Sequence, residues 1–154
     1  MREILFRGKR IDSGEWVSSG NIIHFNPEND EALVFIPARN EHCCSVHDEN
    51  DNIIAFEKGT FYKVDHNTVG QYTGKRDSKN DRIFEGDILR IKWRGINLVE
   101  NAVVRYDDRS CAYILQMRGA AWNYMYDLDA AYMQIESFEV IGNVWDDPEL
   151  MEGM

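Results

Sequence analysis

With 154 residues, 44% hydrophobic and 29% charged, the chain is long enough for one ordinary domain or two small β units and too apolar to be disordered. Its 17 Lys and Arg against 27 Asp and Glu leave a net charge of -10, which disfavours phosphate backbones and anionic membranes as partners. No stretch reaches the ~20 apolar residues of a membrane-crossing helix, the opening MREILFRGKRID lacks the hydrophobic run of a secretory signal, and three cysteines (Cys43, Cys44, Cys111) make no disulfide framework, so a reducing, cytoplasmic setting is expected.

Short β-branched and aromatic runs alternate with Gly, Asn, Asp and Ser clusters, which predicts an all-β, mostly antiparallel fold. A first hairpin is expected from Arg2 to Lys9 and Glu15 to Phe25, turning at Asp12-Ser13-Gly14 and anchored by Trp16. Between Asn26 and Asn52, Pro27, Pro37 and many acidic and amide residues surround the single apolar run Leu33 to Ile36, which reads as an irregular loop holding one strand. Two short strands about Lys58-Gly59 then end an N-terminal β subdomain (1–64), cut near Asp65.

The remainder (65–154) reads as a barrel-like C-terminal subdomain, SH3-like or partly open. In Asp87 to Trp93, Leu89, Ile91 and Trp93 alternate with Ile88, Arg90 and Lys92, so the first set is expected inside and the second in solvent. Strands follow at Leu98 to Tyr106 and Ala112 to Met117, with turns at 94–97, 107–110 and 118–119. Ala120 to Glu136 reads as a strand carrying Trp122, Tyr124 and Tyr126 and then a helical turn. Ser137 to Trp145 is the last strand, and Pro148 opens a short helical turn.

Three blocks carry a resemblance. They are Phe6-Arg7-Gly8 with Asp12 to Val17 and Gly20; Val69-Gly70-Gln71-Tyr72-Thr73-Gly74, Asp77 and Ile83 to Leu89; and Glu139 to Val144 with Pro148-Glu149-Leu150. In order and spacing they resemble the YopX family of phage and prophage proteins, the central block most closely, over about half of the chain. The resemblance implies a mostly β protein with a small C-terminal barrel-like unit and self-association, and it implies no reaction. Asn80-Asp81 stands where the family usually has Asn-Gly, a costly exchange if the second turn residue needs positive φ. Without the name, Gly70, Gly74 and Gly86 read as turn or close-approach positions, and Tyr72, Phe84, Ile88 and Leu89 as apolar residues between them.

Chemistry is sparse. His42-Cys43-Cys44-Ser45-Val46-His47, with His24 and His66, superficially suggests zinc, but adjacent cysteines point apart in an extended chain and the ligand spacing is wrong. Asp77, Asp81, Glu85 and Asp87 suggest paired carboxylates; among Lys75, Arg76, Lys79 and Arg82 they read instead as a solvated turn, and Asp81 occupies the place where a calcium loop requires glycine. Cys111, heading an apolar strand, is expected in the core. No nucleophile elbow and no phosphate-cradling loop is present in the sequence. No catalytic, cofactor-binding or metal-binding residue is therefore assigned, and no cofactor is implied.

Lys75, Arg76, Lys79, Arg82, Arg90, Lys92 and Arg94, beside Trp93, form the one local positive concentration and support a second reading, a nucleic-acid-binding accessory protein using residues 75–94. The leading expectation is a non-enzymatic β protein acting through protein contacts, with itself or with another phage or host protein, and without a membrane partner.

Overall fold

The computed structural model describes residues 3–26, 31–37, 45–47, 53–56, 59–95, 97–117, 122–124 and 135–151. It is all-β, with two five-stranded antiparallel sheets, one of them curled into a half-barrel, and a separate two-stranded pair. Two compact units divide the chain, Ile4–Val69 and Gly70–Met154, the latter with Met1–Glu3.

In the first unit, β1 (Phe6–Arg10) and β2 (Trp16–Asn26) form the expected hairpin, with Gly8 opposite Val17 and Lys9 opposite Trp16. The Gly14 amide donates to Arg10 O at 3.0 Å, and the Arg7 guanidinium lies 4.8 Å over the Trp16 ring. β3 (Glu31–Pro37) joins β2 to the start of β6 (Gly59–Arg76), and β1 also pairs with β6, so this sheet curls back on itself. Val17, Ala32 and Val64 are buried at its centre, with Tyr62 and Val69 packed against them. The Thr68 hydroxyl donates to Asp65 O at 2.7 Å and accepts the Lys9 amide at 2.8 Å, tying the two strands.

Two expectations need correcting. The supposed loop of 26–52 holds a second strand besides β3, namely β4 (Ser45–His47), which pairs with β5 (Ile53–Phe56); three residues are too few to display a period. The second of the two short strands expected about Lys58-Gly59 is β6, which is 18 residues long and continues beyond Asp65 to Arg76. Gly70 does not turn the chain there. It lets β6 pass so close to the next turn that a Cβ would stand 2.5 Å from Glu85 O. The division of the two units at Val69/Gly70 thus falls inside a strand, where no composition change marks it.

In the second unit the end of β6 pairs with β7 (Arg82–Phe84), and an open sheet follows. β8 (Asp87–Trp93), β9 (Val99–Asp107), β10 (Ala112–Met117) and β11 (Trp122–Tyr124) form a meander, and β12 (Ile135–Asn143) returns beside β8. Leu89 faces Ala102, Ala102 faces Met117 and Val104 faces Leu115, so one face of three strands is apolar. With Ile83, Ile91 and Ile135 these residues form the main core, against which Trp93, Tyr113, Phe138 and Val140 pack. Each fully buried Leu or Ile there stabilises the fold by about 2–3 kcal/mol.

Ile88 departs from the expected alternation, since it is buried rather than solvated like Arg90 and Lys92. The chain after β12 covers that end of the second face. The Val144 amide donates to Gly86 O, the Asn101 side-chain Nδ2 donates to Leu150 O at 2.8 Å, and Asn101 and Val103, the latter opposite Ile88, are buried as well. Pro148–Met151 forms the expected helical turn, as a 3-10 turn. β11 supplies the strand expected after Ala120; the helical turn expected after it, Tyr126 included, lies outside the described residues. Among the described residues no helix is long and apolar enough to cross a membrane.

Candidate functional site

The acidic cluster at 77–87 is not the solvated turn expected from sequence. Asp77 and Asp87 are buried, while Asp81 is exposed and Glu85 half-buried. The Asp77 Oδ1 accepts the amides of Lys79 and Asp81 at 2.9 and 2.8 Å, and its Oδ2 accepts the Val140 amide at 3.0 Å. Burial alone would push its carboxyl up, but the three amides and the Lys79 charge outweigh burial and hold it below the ordinary 3.8. Ser78 adds two bonds to Phe138, so the turn after β6 occupies the outer edge of β12. An edge strand is thereby closed to further pairing at residues 138–140.

Asp87 serves the other end of β7. Its Oδ2 accepts the Phe84 amide at 2.7 Å across the Glu85-Gly86 turn, where Gly86 adopts φ 82° and a Cβ would strike the Trp145 ring. The Asp81 substitution noted in the sequence is harmless, because the left-handed residue of that turn is Asn80 (φ 73°), which tolerates the conformation better than most residues.

The basic concentration is largely paired. Lys79 meets Glu139 at 2.8 Å, Arg82 meets Glu3 at 2.9 Å, and Lys92 meets Glu136 at 2.7 Å. Arg76 donates to Asn80 O, and the half-buried Trp93 packs on the core with its indole N–H bonded to Glu100. Trp93 is thus turned into the sheet instead of offering an open ring for a base to stack on. Of the zinc suspects, residues 42–44 lie outside the described residues, and nothing is described of the side chains of His24 and of the strand residues Ser45 to His47; His66 sits near Asp65. Among the described residues no group of three His, Cys, Asp or Glu is placed to hold a metal ion.

Cys111 is a correction as well. It is exposed, at the end of the β9–β10 turn, with a left-handed φ of 51°. A residue at the mouth of a strand looks apolar in sequence, but the turn geometry carries this one outward.

Cys111 instead borders a cleft of about 440 Å³, lined by Gln71, Glu85, Tyr106, Asp108, Cys111, Ala112 and Tyr113. The elements that build it are β6, the Glu85-Gly86 turn and the β9–β10 hairpin. Backbone bonds hold these elements together, Glu85 N donating to Gln71 O at 3.0 Å and Gly86 N to Val104 O at 2.9 Å. Tyr106 and Tyr113 face each other across the hairpin with ring centroids 5.3 Å apart at 70°. Burial raises the Glu85 carboxyl above its ordinary range, against the opposing pull of the Tyr106 and Gln71 amides and of Arg105; Asp108 adds to the rise. From sequence, Glu85 reads as part of a solvated turn, and Gln71, Tyr106, Asp108 and Tyr113 read only as block, strand and turn residues. The only sequence signals for them were the place of Gln71 and Glu85 in the central block and the two tyrosines flanking one turn.

The family model described as YopX protein matches residues 5–152. No curated protein matches the chain. Among solved structures, the crystal structure of protein EF1440 from Enterococcus faecalis is similar, at 17% sequence identity and a TM-score of 0.51, covering 96% of this chain and 97% of that one. That likeness concerns the fold alone.

Proposed function

The chain belongs to the YopX protein family, and from that premise we propose that it is a non-enzymatic protein of phage or prophage origin that works in the cytoplasm through protein contacts, first of all with its own copies. The observation that carries the reading is the foot of β9. Leu98 and Val99, consecutive at the β8–β9 hairpin, leave 42% and 41% of their surface exposed, an apolar pair that an interface would bury. The central block supports it from the other side. Gly70, Asp77, Gly86 and Asp87 are taken up by turns, close approaches and edge capping, which leaves less of the block for a reaction centre.

Nucleic-acid binding through residues 75–94 is the weaker alternative, because Lys79, Arg82 and Lys92 already have carboxylate partners and the net charge is -10. The test is the solution mass by light scattering over a wide concentration range, for the native chain and for Leu98→Asp/Val99→Asp. Self-association predicts a multimer that the double variant dissociates while its circular dichroism stays native. A monomer at every concentration removes self-association, and salt-sensitive binding of that monomer to single- or double-stranded nucleic acid would establish the alternative.

A further inference from the structure

Polar side chains in the central block have two fates. Asp77 and Asp87 satisfy backbone amides, and the Thr73 hydroxyl bonds Ile83 O. Glu85 also takes the Tyr106 and Gln71 amides, yet it and Gln71 both line the cleft beside the β9–β10 hairpin. Its volume of about 440 Å³ lies within the range of small-ligand pockets.

The lining chemistry is one-sided. Glu85 and Asp108 bring carboxylates, Gln71 an amide carbonyl, and Tyr106 and Tyr113 ring faces and hydroxyls; no lysine, arginine or histidine is among the lining residues. An anion would meet two carboxylates at close range and be repelled. An apolar group would strip water from Glu85 and Asp108 and return no hydrogen bond. A cationic nitrogen satisfies every part of the lining, since its N–H groups donate to carboxylate and amide oxygens and its charge is attracted by aromatic faces.

We propose that this cleft binds a cationic nitrogen group, an alkylammonium or guanidinium, gripped by Glu85 and Asp108, oriented by Gln71 and packed against Tyr106 and Tyr113. Burial already disfavours the ionised Glu85, and a bound cation relieves that penalty, so binding weakens as pH falls through the Glu85 titration. Arg105 and Asp108 are the other charges acting on that carboxyl and set the background for the titration. The site is independent of whether the chain self-associates. Two sources present this chemistry, the Lys or Arg side chain of a partner protein and a free polyamine.

The full chain labelled with 15N would be titrated with butylammonium, spermidine and N-acetylarginine methylamide, and with butanol and acetate as uncharged and anionic controls. The expected result is saturable shifts of the Gln71, Glu85, Tyr106 and Tyr113 amides with the cations only. Binding should weaken about tenfold in Glu85→Gln, the loss of one charge-assisted contact, and less in Asp108→Asn on the exposed turn. Both variants must otherwise keep the native spectrum, and the exposed position of Asp108 preserves the test if Glu85→Gln perturbs the fold. Tighter binding of the arginine derivative points to a protein side chain, and tighter spermidine binding to a polyamine. The proposal is overturned if no cation gives saturable shifts, if butanol or acetate binds as well, or if neither variant weakens binding.

Discussion

Two turns of the second unit have nearly the same local chemistry and opposite uses. Residues 77–81 and 107–111 each open with an aspartate that accepts amides from its own turn, and each ends near a left-handed residue that is not glycine, Asn80 at φ 73° and Cys111 at φ 51°. Asp77 is buried and also takes the Val140 amide from β12, whereas Asp107 bonds within its own turn, to the Ser110 amide and hydroxyl. The first turn is thus a clamp on a sheet edge, and the second is the rim of an open cleft. A local motif does not choose between scaffold and site; the strand that lies beside it does.

The largest expected effect tests that difference directly. Asp77→Ala strands three amides at a buried edge and should lower stability by about 3 kcal/mol; Asp107→Ala, at a solvated turn, should stay within about 0.5 kcal/mol. Urea midpoints of the two variants decide the matter, and equal values would erase the contrast.

Acid sharpens the same point. The Asp77 carboxyl is held below 3.8 in the folded chain, so its contribution is fully present above the unfolded value near 3.8 and fades as pH falls through the lower folded value. Urea midpoints of the native chain should therefore drop below pH 4 more steeply than those of Asp77→Asn, which has no such proton to gain.

The left-handed residues give smaller, opposite effects. Asn80→Ala should cost about 1 kcal/mol, because alanine lacks the tolerance of asparagine for positive φ. Cys111→Gly should stabilise by about 0.5 kcal/mol, the relief of a strained side-chain residue less the added freedom of the unfolded chain. Thermal midpoints of both variants, measured in reductant, check the signs.

The smallest effect concerns the cleft. Since burial raises the Glu85 carboxyl, its ionisation opposes folding at neutral pH, and the native chain loses stability as pH rises through the folded value. Glu85→Gln should therefore be slightly more stable than the native chain at pH 7, with the advantage gone below the unfolded value of about 4.5. A loss of stability at pH 7 would assign Glu85 to the scaffold, with Asp77.

Much of the fold was legible because strands advertise themselves locally. Alternation of Leu89, Ile91 and Trp93 with Arg90 and Lys92 gave β8, and Asp12-Ser13-Gly14 gave the first hairpin. The central and terminal blocks identified the family. The failures share one cause. Ile88 is buried beside a segment far along the chain and Asp77 takes the amide of Val140, so neither environment is written within a few residues of its own position.

The sequence by itself determined the β class, most strand positions and family membership, since side-chain period, turn residues and block order are local properties of the chain. Tertiary structure alone decided which acidic groups are buried, which cations are paired, that Cys111 faces outward, and that Gln71, Glu85, Asp108 and two tyrosines meet in one cleft. Those outcomes depend on which strands and turns distant in sequence are brought side by side, and a one-residue slip would turn the strand residues among them, Gln71, Tyr106 and Tyr113, to the other face.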